Sequence, residues 1–473
     1  MLQSDFLVTG LPGAPANSPT TYAGLLPITH DLPYVTNYFF WYVPSSNATS
    51  NELVVWLNGG PGVTSMEGMF GENGPWNIEA NGTLTLNEYS WHHRSHMLYV
   101  DQPVGTGYSL DTSGVNAFSS VDAGKWFYSF LDTFYQTFPD TRKSELYITG
   151  ESYAGVYIPY IANELLNRQV LSDNSTLNLA GIAVGNGLLN STIQSNGGLD
   201  MNQVLLESDF YSKFPAVKEP FTKLVTECAN VTSQKEADKF PYKCDYWEAV
   251  VNMVMDSTSG KECISTTNYN ITFPCEARDS FDAMQDFFDQ AAVQRALHVY
   301  DTIKKINPKF NYQLGNEINI SGDDSIADPA GLISGIIASG VKVLIFEGDL
   351  DLKLGWVGMA KTMAAMEWGG ERGFEGVGGE WKSYGGVAGQ VWFERGLKYI
   401  RVYGAGHMVP RNQPQRGLHL LSEIISDPSP AKTINRTRVT SSFVAQTRSG
   451  ARRFDVGGTA IWIGMIVGFL VQL

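Results

Sequence analysis

Apolar and β-branched residues gather along this 473-residue chain in short runs, each broken off by a glycine, an acid or an asparagine. Residues 53–57, 97–100, 146–149, 181–184, 341–346 and 399–403 read as buried strands. Between them the apolar positions fall at helical spacing, as at Tyr160, Ile161, Leu165 and Leu166, at 293–298 and at 417–425. Strands alternating with helices predict an α/β fold with a mostly parallel central sheet and helices on both faces. From 188 to 287 the texture changes to polar, helix-prone, cysteine-bearing sequence without strong strands. That segment predicts a mainly helical cap inserted into a discontinuous core of residues 1–187 and 288–427. A cap over the sheet edge narrows a cleft and favours chain ends over mid-chain loops.

The chemistry sits where the strands stop. The run at 146–149 ends in G-E-S-Y-A-G at 150–155, and a helical pattern follows. A serine flanked as G-x-S-x-G between a strand and a helix is the nucleophile elbow of α/β-hydrolases, which makes Ser152 a candidate nucleophile. Its hydroxyl needs a base, and in this fold the order is serine, acid, histidine. Of the seven histidines only His298, His407 and His419 follow Ser152. His298 and His419 lie in helical patterns and read as packing residues, whereas His407 lies on a glycine-rich loop after a strand. The acid is expected at the end of the 341–346 strand, where Glu347, Asp349 and Asp351 compete and pattern alone does not separate the two aspartates. The strand at 53–57 runs into N-G-G-P-G at 58–62, a place for an oxyanion-hole donor beside the amide of Tyr153.

Composition narrows the picture further. A formal net charge of −15 argues against a nucleic-acid partner, while 43% hydrophobic content and 11 tryptophans allow a large core. Sequons begin at Asn47, Asn81, Asn174, Asn190, Asn230, Asn270, Asn319 and Asn435, a density that favours the secretory pathway. All four cysteines, Cys228, Cys244, Cys263 and Cys275, fall inside the cap segment. They predict two disulfides of undetermined connectivity, since the close pairs of a thiolate metal site are missing. The W-H-H-R-S-H stretch at 91–96 has no acidic fourth ligand and reads as packing or surface histidines. No metal or organic cofactor is expected.

Five motifs in order then carry a family resemblance: W-L-N-G-G-P-G at 56–62, D-Q-P-V-G-T-G at 101–107, G-E-S-Y-A-G at 150–155, G-D-L-D at 348–351 and G-H-M-V-P at 406–410. Over about residues 6 to 425 the chain resembles the serine carboxypeptidases, acid-active secreted and vacuolar exopeptidases, with fungal secreted members nearest. The resemblance implies removal of single C-terminal residues from peptides and proteins, with Ser152 as nucleophile, Asp351 as acid and His407 as base. It implies Gly60 and Tyr153 amides in the oxyanion hole. It assigns Asn58, Gly59, Glu72 and Glu151 to the substrate's carboxylate; Leu354 and Met408 are candidates for the S1′ pocket. Two departures stand out: Val63 occupies a position where many relatives have cysteine, and Leu354 and Gly355 replace the C-N of the family's D-x-x-C-N. The lost asparagine predicts altered geometry beside Asp351 and altered specificity. The rival readings are an acyltransferase of the same fold and a surface glycoprotein with an impaired site.

The ends of the chain read differently. No basic segment followed by an apolar core opens it, so no signal peptide is visible. Residues 428–458 form an exposed Ser/Thr/Arg-rich stalk, and 459–473 are almost wholly apolar. Small residues at Ser449, Gly450 and Ala451 before a polar spacer give the layout of a GPI-attachment signal. A short membrane anchor and a buried helix are the alternatives, and the location expected is extracellular or cell-surface, with the vacuole second. Oligomeric state is not legible.

Overall fold

The computed structural model describes residues 1–28, 36–111, 119–194, 197–229, 231, 239, 241–277, 280–306, 310, 312 and 328–426. The stalk, the apolar tail and the sequons at Asn230, Asn319 and Asn435 lie outside the described residues. Within them no helix is long and apolar enough to cross a membrane.

Eleven strands form the main sheet, numbered here in chain order: β1 (Tyr22–Ile28), β2 (Thr36–Val43), β3 (Glu52–Leu57), β4 (His96–Val100), β5 (Leu110–Asp111), β6 (Glu145–Glu151), β7 (Leu179–Gly185), β8 (Lys342–Gly348), β9 (Gly379–Ser383), β10 (Gly386–Glu394) and β11 (Leu397–Val402). Their spatial order is β1-β2-β4-β3-β6-β7-β8-β11-β10-β9, with β5 paired to β2. The six central strands from β4 to β11 run parallel, and antiparallel pairs finish both edges. The central strands are apolar throughout because both their faces are covered. Along β3, Leu53, Val55 and Leu57 enter one buried cluster while Val54 and Trp56 enter the other.

One face is covered by α2 (Ser120–Thr137), α3 (Ala154–Arg168), α6 (Ala330–Ala338) and α7 (Trp356–Ala365), and the other by α1 (Met66–Gly71) and α8 (Pro414–Ile425). In α2 the buried Ala123, Phe127, Phe130, Leu131 and Phe134 recur at three- and four-residue spacing, and Ser119 Oγ caps the helix by accepting from Asp122 N at 3.2 Å.

Between β7 and α6 the cap segment contributes α4 (Pro215–Cys228) and α5 (Tyr246–Ser257), which share a third apolar cluster with Leu352, Trp356 and Val357. Cys228 pairs with Cys244 and Cys263 with Cys275. The segment also holds two strands that the sequence reading does not mark. Glu262–Ser265 and Asn268–Pro274 pair as an antiparallel hairpin. Its second strand alternates Tyr269, Ile271 and Phe273 with Asn268, Asn270 and Thr272, but residues 270–274 are exposed.

Candidate active site

β6 ends at Glu151 and α3 begins at Ala154, so only Ser152 and Tyr153 make the turn. Ser152 takes a left-handed φ of 61°, a conformation that non-glycine residues adopt only when their surroundings enforce it. Here its N–H donates to Gly185 O at 2.9 Å, while its own carbonyl accepts from Gly155 N and Leu188 N, both at 3.0 Å. The flanking glycines are required by space. A Cβ on Gly150 would stand 2.1 Å from Leu57 O, and one on Gly155 2.7 Å from Leu188 O. The N-G-G loop after β3 presses on the same turn, since a Cβ on Gly59 would lie 2.3 Å from Tyr153 N and 2.8 Å from Ser152 Cβ. Buried Asp101 anchors that loop by accepting from Thr64 Oγ1 at 2.6 Å and Ser65 N at 3.0 Å.

β7, β8 and β11 lie in succession beside β6, and their carboxyl ends deliver the next groups. Asp351 and His407 are both buried, and His407 Nδ1 lies 2.7 Å from Asp351 Oδ2. The carboxylate can only accept, which places the proton on Nδ1. Asp351 Oδ1 accepts from Lys353 N at 2.7 Å, and Oδ2 from Leu354 N at 3.3 Å and from Asn186 Nδ2 at 2.8 Å. Asn186 is held in turn by Gly348 N, which donates to its Oδ1 at 3.1 Å. Asp349 points elsewhere: its Oδ1 accepts from Gly404 N at 2.7 Å, and burial lifts its pKa to about 6. Glu347 is fully buried, with burial first and Asp351 second pushing its pKa well up.

The histidine loop is positioned from the cap. Thr267 O, at the hairpin tip, accepts from His407 N at 2.6 Å, and a Cβ on Gly406 would stand 1.9 Å from that same oxygen. Among the described residues no hydrogen bond joins Ser152 Oγ to His407. Such contacts in a site without substrate are commonly long and tighten on binding.

Beside the elbow stands a group of carboxyls. Asn58 Oδ1 accepts from Trp56 Nε1 at 2.8 Å and from Gly68 N at 3.0 Å, which turns its Nδ2 toward Glu151 Oε1 at 3.2 Å. Glu72 and Glu151 are both buried. Neither oxygen of Glu72 has a hydrogen-bond partner among the described residues, though Glu151 and Asn58 lie close enough to act on its proton. Burial, then the charge of Glu67, raises Glu72 to about 8. Burial, then the charges of Glu72 and Glu67, pushes Glu151 well above the usual carboxylate range. Two desolvated carboxyls this close cannot both ionise cheaply, so the pair keeps protons to higher pH than free carboxyls do.

Leu354 is half-buried in the loop that wraps Asp351, and Met408 is buried directly after His407. His298 Nδ1 lies 3.1 Å from Ala23 O, and His419 Nδ1 2.9 Å from Ser383 Oγ. His92, His93 and His96 engage Ser90, Ser46 and Tyr42 in turn. Asn47, Asn81, Asn174 and Asn270 are exposed, while Asn190 is half-buried with its Nδ2 donating to Asp328 Oδ1 at 3.0 Å. Asn186 went unread in the sequence. Its only signal was an N-G step at the end of a strand that proves to neighbour the strand carrying the acid.

A strained serine at a strand–helix turn, with an acid and a histidine delivered from later strand ends of a parallel sheet, defines the α/β-hydrolase class. Residues 12–427 match the family model of the serine carboxypeptidases, and the chain belongs to that family. It is 30% identical over 444 residues to the pheromone-processing carboxypeptidase KEX1 of Zygosaccharomyces rouxii, covering 84% of this chain and 61% of that protein. It is 31% identical over 444 residues to the pheromone-processing carboxypeptidase of Aspergillus niger, covering 89% and 70%. Among solved structures, the prohormone-processing carboxypeptidase Kex1 of Saccharomyces cerevisiae superposes with a TM-score of 0.72 at 26% identity, over 90% of this chain and 96% of that one. The chain therefore spans about three-fifths of the first curated relatives it matches.

Proposed function

We propose that the protein is a serine-type carboxypeptidase that releases single residues from the C-termini of peptides and proteins, working best in mildly acidic solution. The carrying observation is the Asn58–Glu151–Glu72 group, placed one residue from the nucleophile, where burial keeps protons on the carboxyls to higher pH. Protonated carboxyls can donate hydrogen bonds to a free chain-end carboxylate, whereas ionised ones would repel it. An endopeptidase has no use for such a receptor. The relatives' names, as carboxypeptidases that process pheromones and prohormones, point the same way.

In the mechanism we infer, Ser152 Oγ attacks the scissile carbonyl as His407 Nε2 takes its proton. Asp351 keeps the other ring nitrogen protonated and stabilises the imidazolium. The Gly60 and Tyr153 N–H groups receive the oxyanion, and Asn58, Gly59, Glu72 and Glu151 hold the terminal carboxylate. His407 returns the proton to the leaving amine, and water, activated by the same ring, then hydrolyses the acyl-enzyme. Leu354 and Met408 line the pocket for the departing residue, and the 188–287 segment acts as a cap that blocks passage of a continuing chain. The sequons and disulfides favour a secretory-pathway protein, extracellular or at the cell surface, with the 459–473 tail as a GPI signal.

A peptide-library digest in mildly acidic buffer, read by mass spectrometry against Ser152→Ala, tests the proposal. Stepwise loss of C-terminal residues is expected. Predominant internal cleavage, or transfer to alcohols in place of hydrolysis, would overturn it.

A further inference from the structure

Three consecutive residues of the cap hairpin reach the two loops that carry the base and the acid. Thr267 O accepts from His407 N at 2.6 Å, and Tyr269 N donates to Leu350 O at 3.3 Å, directly before Asp351. The two loops also meet each other, where Leu350 N donates to Ala405 O at 2.8 Å. Between Thr267 and Tyr269 stands Asn268, buried although its side chain is polar. Its Nδ2 donates at 3.0 Å to Asn412 Oδ1, and that same oxygen accepts at 2.7 Å from Gly406 N, the amide next to His407.

Backbone donors fix the orientation of both side-chain amides. Gly406 N can only donate, so the Asn412 atom facing it is oxygen. Asn270 N likewise donates to Asn268 Oδ1 at 3.1 Å, which turns Asn268 Nδ2 toward Asn412. One carboxamide oxygen thus collects a donor from the cap and a donor from the base loop. Asn412 N donates to Met408 O at 3.1 Å, so the turn Val409–Asn412 closes and its side chain folds back to the residue before the base. The approach from the cap is close, since a Cβ on Gly406 would stand 2.7 Å from Asn268 Cβ.

We propose that Asn412 is a positioning residue for the base His407, and that Asn268 couples it to the cap, so that the triad is held in register only while the hairpin is docked. The inference rests on the triad assigned above. Among the described residues neither asparagine hydrogen-bonds a triad side chain, so both act through the backbone of the base loop. That backbone sets where Nε2 points, and a misplacement of about 1 Å can cost about 100-fold in rate.

The test compares Asn412→Ala, Asn412→Asp and Asn268→Ala with the wild type. Asn412→Ala removes the shared acceptor and should lower kcat about 10- to 100-fold with KM kept within about twofold, since neither asparagine belongs to the carboxylate receptor. Asn268→Ala should fall in the same way but less, because Gly406 N keeps its acceptor. Asn412→Asp still offers an oxygen to both donors and should recover most of the loss. A fall in kcat/KM carried by KM alone, or an Asp variant as slow as the Ala variant, would overturn the proposal. The His407 Nδ1–H proton resonance, far downfield while the ring is held against Asp351, gives a reading without turnover in Ser152→Ala protein. It should stay sharp when Asn412→Asp is added and broaden or vanish with Asn412→Ala. That result supports the positioning role even if no peptide is hydrolysed, and a resonance unchanged by Asn412→Ala refutes it.

Discussion

Asn186 Nδ2 donates to the same oxygen of Asp351 that faces His407 Nδ1, at 2.8 and 2.7 Å. With the two backbone N–H groups of 353 and 354, the acid is hydrogen-bonded on both oxygens. The asparagine missing from the loop after Asp351 therefore leaves no unsatisfied carboxylate behind.

Asn186→Ala should lower kcat about tenfold or more with little change in KM, because the Asp351 carboxylate loses a donor and gains rotational freedom. Leaving Gly348 N unpaired in a buried site costs about 1–3 kcal/mol, so the melting temperature should fall as well. Asn186→Asp should lower kcat further, by setting a second carboxylate against the first. Steady-state kinetics beside thermal melts checks both.

Ser152→Ala, His407→Ala and Asp351→Asn should each reduce kcat by roughly 10³–10⁴-fold or more while peptide binding survives. A fluorophosphonate should label Ser152 covalently in the wild type and fail in His407→Ala. Labelling undiminished in that variant would remove His407 from the role of base.

If the Glu72–Glu151 pair receives the substrate carboxylate as proposed, both binding and stability depend on pH. Glu72 is raised from 4.5 to about 8 in the folded protein, so the folded state holds a proton that the unfolded chain releases. Its stabilising contribution is complete below about pH 4.5 and disappears as pH rises through about 8. Melting temperature should therefore drop between mildly acidic and alkaline buffer, and KM should climb over the same interval. Glu72→Gln should flatten both curves. A KM independent of pH across that range would refute the carboxylate-receptor role.

Opening the Cys263–Cys275 disulfide, by Cys263→Ser with Cys275→Ser, should cost about 3 kcal/mol from its 12-residue separation and depress kcat as well. The hairpin tip accepts the His407 N–H and packs on Gly406, so its loosening reaches the His407 loop directly. The corresponding change at Cys228 and Cys244 should cost similar stability with a smaller effect on kcat. Equal kcat losses in the two double variants would contradict this coupling.

The elbow, the glycine loop and the histidine loop were legible because each is a turn whose constraint lies within a few residues, as with the glycines that Leu57 O and Leu188 O would otherwise exclude. The central sheet was legible because burial on both faces keeps its strands apolar. Pattern alone did not separate Asp349 from Asp351, and only the family motif did, since the choice depends on which carboxylate the β8–β11 register turns toward His407. Asn186 was hidden for the same reason: G-N-G at 185–187 looks like any turn until β7 and β8 are paired. The cap hairpin escaped although Tyr269, Ile271 and Phe273 alternate along its outer strand, because that short run is solvated beyond Tyr269 and sits within helix-prone sequence.

Ser152 sits at φ 61°. Left-handed backbone at a non-glycine residue costs about 1–2 kcal/mol, and here the Gly185 and Leu188 contacts hold it in place. Glycine at this position would relieve the tension and destroy the nucleophile in one step. A Ser152→Gly protein should thus melt higher than Ser152→Ala, and screening variants for heat resistance alone would steer this lineage toward a sturdier, inert descendant.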